Sequence, residues 1–73
     1  MTLKQYLDMH GIEKGDTSPL VVIHENTELQ TSRRYLESEP MKHYLDMEIV
    51  DYDYPFAKPG EEPVIKFWVR EQD

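Results

Sequence analysis

Apolar positions along this chain switch period from segment to segment, and the switches outline its elements. At the start, Leu3, Tyr6, Leu7 and His10 fall at i, i+3, i+4 and i+7, the spacing of one helix face. Thr2 precedes them as an N-cap, with Gln5 three residues on to complete a capping box. Gly11 supplies the left-handed stop, and Ile12 is placed for the apolar contact that accompanies it. After a loop over 13–19, Leu20-Val21-Val22-Ile23 is uninterrupted and mostly β-branched, as in a strand buried on both faces. Glu25-Asn26-Thr27 reads as a turn into a polar strand near 28–32, whose lack of apolar residues suits a sheet edge.

In residues 33–39, Tyr35 and Leu36 call for burial, but the residue before Pro40 is steered away from helical geometry. A second helix is expected from Pro40, since Met41, Tyr44 and Leu45 repeat the spacing of Leu3, Tyr6 and Leu7. From Glu48 to Tyr54 the period drops to two: Val50, Tyr52 and Tyr54 alternate with Ile49, Asp51 and Asp53. A Pro/Gly-rich loop over 55–63 leads to a last strand over 64–70, with Ile65, Phe67 and Val69 on one face and Val64, Lys66, Trp68 and Arg70 on the other. The expected fold is a single α+β domain over residues 1–73 in the order αββαββ: a three- to four-stranded, mainly antiparallel sheet with two short helices on one face.

The hexamers KQYLDM (Lys4–Met9) and KHYLDM (Lys42–Met47) match at five of six positions. The likeness stops there. His10-Gly11-Ile12-Glu13 ends a helix, whereas the aligned Glu48-Ile49-Val50-Asp51 begins a strand. The pair reads as one way of docking a short helix, written twice, rather than as a duplicated domain.

Composition narrows the function classes. A chain of 73 residues buries only roughly 60% of its unfolded surface, so its core is one modest cluster. Without cysteine it has neither a disulfide framework nor a thiolate zinc site. No apolar run approaches membrane-spanning length and the opening residues lack a signal-peptide segment, so the expectation is a soluble cytoplasmic protein without membrane contact. Fifteen acids against eight bases give a net charge of −7, which repels phosphate backbones and argues against direct nucleic-acid binding. Arg33-Arg34 is too small a basic cluster to reverse that. A hydrophobic fraction of 38% argues against disorder.

The chemistry of a catalyst is not visible. There is no cysteine nucleophile, Gly-rich phosphate loop, HExxH or serine elbow. His24 and Glu25, as strand neighbours, are expected to point to opposite faces; His10 and Glu13 are separated by the helix stop at Gly11. Asp46, Glu48, Asp51 and Asp53 concentrate oxygen ligands without the glycine of a calcium loop, so no metal or cofactor is expected. The expectation is a protein that is not an enzyme.

What stands out is DMEIVDYDYPF, with four acids, no base and three aromatics. Such a strand is either a solvated face that maintains solubility or a surface for a basic protein partner, with tyrosines supplying rigid contact area and carboxylates the charge. On the second reading Asp46, Glu48, Asp51, Tyr52, Asp53 and Tyr54 carry the binding. The layout of a short Leu-containing helix, a Val-Val-Ile strand, a second short helix and an acid-aromatic strand resembles small acidic accessory proteins of phages and mobile elements, among them anti-CRISPR-type inhibitors of host nucleases. The resemblance implies a binding module that blocks a nucleic-acid site of its partner; it assigns no residue. The alternative is an assembly protein acting as a homodimer, through the polar edge strand or an exposed Trp68.

Overall fold

The first helix forms as its sequence dictates. Thr2 Oγ1 accepts the Gln5 backbone N–H at 3.1 Å, and Gln5 Oε1 accepts the Thr2 N–H at 3.0 Å, closing the capping box. Helix α1 spans Leu3–Met9. Gly11, at φ +74°, then lets Ile12 N–H reach the Leu7 carbonyl at 2.9 Å while Gly11 N–H reaches that of Asp8 at 3.3 Å, the two hydrogen bonds of a Schellman stop. The computed structural model describes residues 1–53, 59–60 and 64–72, and the expectations for Tyr54 and for most of the loop 55–63 lie outside the described residues.

Strands β1 (Leu20–His24), β2 (Thr27–Thr31), β3 (Glu48–Asp53) and β4 (Ile65–Arg70) form one sheet in the order β2-β1-β4-β3. β1 and β4 lie parallel at its centre, and both outer pairings are antiparallel. The path from β1 to β4 passes through β2, the helical segments and β3, which provides the long crossover that a parallel pair requires. β1 is buried at Leu20, Val21, Val22 and Ile23, as a central strand should be, and β2 is mostly exposed, as an edge should be.

Leu20, Val22, Ile65, Phe67 and Val69 project from one sheet face onto Leu3, Tyr6 and Leu7 of α1, and Leu36, Leu45 and Met47 complete the core. All helical segments therefore cover a single face, in an α+β domain. Two details differ from the sequence expectation. Residues 33–36 form an additional helix, α2 (Arg33–Leu36), because Ser32 Oγ accepts the Tyr35 N–H at 3.4 Å and Leu36 is fully buried. The expected second α-helix is a 3₁₀ helix over Met41–Asp46, which turns Leu45 into the core within a short span and delivers the chain directly to β3. Among the described residues no helix is long and apolar enough to cross a membrane.

Candidate functional site

Opposite the helices, the sheet presents a second face, and register assigns its members. On β4 the odd positions enter the core, so Lys66, Trp68 and Arg70 point the other way. Cross-strand partners share a face: Asp53 stands opposite Lys66, Asp51 opposite Trp68 and Glu48 opposite Arg70. On the far side of β4, Val21 pairs with Lys66 and Ile23 with Trp68, and Gln30 and Glu28 of β2 continue these rows. Among the described residues the helix-free face thus carries four carboxylates, two cations, the half-buried indole of Trp68 and the buried side chains of Val21 and Ile23.

The acid row depends on a register shift in β3 between Ile49 and Asp51. Strict alternation places Ile49 on the same face as Asp51 and Asp53, which would leave an apolar side chain among carboxylates. The bulge at Val50 removes the conflict: Ile49 packs against the core, Val50 is 59% exposed, and the acids stay outside. Asp51 Oδ1 accepts the Tyr52 backbone N–H at 2.8 Å, tying that carboxylate to its own strand. Glu48 Oε2 accepts from Arg70 Nε at 3.0 Å and lies 2.9 Å from Nη2. Exposed pairs of this kind contribute about 0.2–1 kcal/mol. Asp51 faces an indole where its neighbours in the row face cations.

The six residues singled out from the sequence are therefore not one patch. Glu48, Asp51 and Asp53 share the helix-free face. Tyr52 stands opposite Phe67 on the helix side, where its ring centroid lies 5.4 Å from that of Tyr6. Asp46 ends the 3₁₀ helix and is exposed, bordering a shallow hollow with His43 and Glu71, and Tyr54 lies outside the described residues. The bulge and the alternation beyond it set Glu48, Asp51 and Asp53 on one face and Tyr52 on the other, so these acids and Tyr52 do not share a surface. Trp68, expected to be exposed, is half-buried, as its central position in the sheet requires.

Sequence reasoning also missed an ion cluster on the helix side. Arg33, only 1% exposed, places Nη2 2.7 Å from Glu37 Oε1 and Nη1 3.1 Å from Asp8 Oδ1, while Nε donates to Glu37 at 2.8 Å. Nη1 keeps ion-pair distance to Asp8 without hydrogen-bond geometry. The i,i+4 spacing of Arg33 and Glu37 was the visible signal; nothing local links either to Asp8. Arg33 joins α2 to α1 and leaves Arg34 as the exposed cation of the pair.

Each histidine sits against an aromatic ring or a carboxylate. His10 stacks on Tyr6 with ring centroids 4.3 Å apart, and His43 on Tyr44 at 4.2 Å. His24 and Glu25 correct the expectation of opposite faces: Glu25 has left the strand at φ +51°, which brings its carboxylate within 4.0 Å of His24 Nε2. Among the described residues no three acidic or histidine side chains converge as metal ligands. Asp16 accepts the Ser18 backbone N–H at 2.8 Å, and that bond, aided by the Ser18 hydroxyl, holds its carboxyl below the ordinary value. A groove of about 710 Å³ lies between Thr17, Pro19, the end of β2 and α2, with Arg34 and Tyr35 on its wall. No family model matches the chain, and no curated protein or solved structure matches it either.

Proposed function

We propose that this protein is a non-enzymatic binding module that takes a basic protein partner on the helix-free face of its sheet, occupying a surface the partner otherwise uses for nucleic acid. One observation carries the proposal: on outer strand β3, Glu48, Asp51 and Asp53 form a row on one face, and Asp51 has Trp68 rather than a cation across from it. Asp51 and Asp53 are about 7 Å apart along the strand, a pitch at which carboxylates can stand in for successive phosphates. The net charge of −7 steers a basic partner toward such a row, and Trp68 provides contact area at its centre. The small acidic accessory proteins of mobile elements that the sequence resembles include inhibitors of this general type.

The test compares wild type with the Asp51→Lys/Asp53→Lys double variant as immobilised bait in host lysate at low salt, followed by stepwise salt elution. The expected result is a retained basic protein that elutes as salt rises and is lost from the variant. Equal retention by both baits refutes the proposal.

A further inference from the structure

β2 closes a hairpin with β1 through Glu25 and Asn26, both at positive φ (+51° and +68°), so the connection is a two-residue turn of the I′ kind. In such a hairpin the flanking pair, His24 and Thr27, exchanges both backbone hydrogen bonds, and the pattern alternates from there. Thr27, Leu29 and Thr31 turn their backbone groups toward β1; Glu28 and Gln30 turn theirs to the outside. Among the described residues no strand pairs with that side of β2.

The strand reads TELQT, nearly symmetric about Leu29. We propose that β2 is a self-pairing edge: two copies of the chain join β2 to β2, antiparallel, about a two-fold axis at Leu29, making one continuous sheet of two four-stranded halves. With the axis there, Glu28 stands opposite Gln30 of the second copy, and their outward N–H and C=O groups satisfy each other on both sides of the axis. Thr27 meets Thr31 and Leu29 meets Leu29, all on the helix-side face, and no like charges oppose each other. Neighbouring registers fit less well. An axis at Glu28 sets glutamate against glutamate, and one at Gln30 runs Thr27 into Arg33, where α2 has already begun. The chosen register also lays the second copy's Asn26 beside Ser32, on the rim of the groove that holds Arg34, so the exposed Glu25 arrives near that cation. This pairing is independent of the partner surface proposed above, because it uses the outer edge of β2 rather than the face at β3 and β4.

Sedimentation equilibrium of the full chain, from about 10 μM to about 1 mM, covers the range for an interface well under 1,000 Å². The expected result is a reversible dimer that tightens as salt rises, because salt screens the repulsion between two chains of charge −7. Binding to a basic partner has the opposite salt dependence, so the two proposals fail separately. Gln30→Glu creates two Glu–Glu oppositions and raises the dissociation constant roughly tenfold. Adding Glu28→Lys turns both into opposite-charge pairs and restores the dimer to wild-type affinity or better. Both positions are exposed, and an unchanged circular dichroism spectrum confirms folding. A monomer at every concentration overturns the proposal, as does a dimer indifferent to Gln30→Glu or not restored by the charge swap.

Discussion

Lys4–Met9 and Lys42–Met47 differ at one position, yet the first lies in an α-helix and the second in a 3₁₀ helix that ends at Asp46. Their leucines are buried alike, Leu7 and Leu45, because both stripes face the same core. Their other residues part company. Met9 is 62% exposed and Met47 4%; Asp8 reaches buried Arg33, while Asp46 has no cation against it among the described residues. The single difference sits where each helix begins. Gln5 Oε1 accepts the Thr2 N–H, but Pro40 has no N–H to offer, and His43 Nδ1 instead bonds the Pro40 carbonyl at 2.6 Å. A carbonyl only accepts, so Nδ1 carries the proton there. A local motif thus sets which side chains a short helix presents, and its surroundings set the helix type and what becomes of those side chains.

The sharpest test is at the final methionine. Met47→Ala should cost about 3 kcal/mol in urea denaturation and Met9→Ala no more than about 0.5. Equal losses would break the comparison. The aspartates come next. Asp8→Asn should cost about 1 kcal/mol, limited by the partial exposure of Asp8, because it weakens one side of the Arg33 cluster; Asp46→Asn should leave the melting curve unchanged. Exchanging the second position is subtler. Gln5→His opens the capping box and should cost about 0.5 kcal/mol, whereas His43→Gln keeps a donor for the Pro40 carbonyl and should change stability by about 0.2. The smallest effect lies in the loop that follows the first hexamer only. Because the Asp16 carboxyl titrates lower in the folded state than unfolded, its stabilising contribution is complete above about pH 4 and fades as pH falls through the folded value. Asp16→Asn should therefore differ from wild type at neutral pH, with the gap narrowing in acid titrations monitored by circular dichroism.

The elements that could be read from sequence are those whose causes are local. The capping box at Thr2, the stop at Gly11, the continuous apolar run of β1 and the polar edge of β2 each rest on residues a few positions apart. The 3₁₀ geometry of 41–46 and the burial of Arg33 depend on contacts with distant segments, which leave no periodic trace. The candidate face was half legible. Alternation correctly put Asp51 and Asp53 together, but it carried Ile49 with them, and only pairing with β4 shows where the bulge falls. The same alternation, followed through, already separates Tyr52 from Asp51 and Asp53.

The two outer strands of the sheet are finished differently. Along β3, Ile49 N–H reaches the Met1 carbonyl and Leu3 N–H reaches that of Met47, each at 2.9 Å, so residues 1–3 lie against the start of that edge with Thr2 bridged to Glu48. Beyond it come the bulge and two carboxylates, which discourage a further strand. β2 carries a single carboxylate, Glu28, and among the described residues no segment pairs with its outer side. With β2 pairing to a second copy as proposed, the sheet is monovalent. A molecule adhesive at both margins adds copies without limit and grows into a fibre, whereas one adhesive at a single margin is saturated by its first neighbour. Under that pairing, the few backbone bonds made by residues 1–3 hold the assembly at a pair.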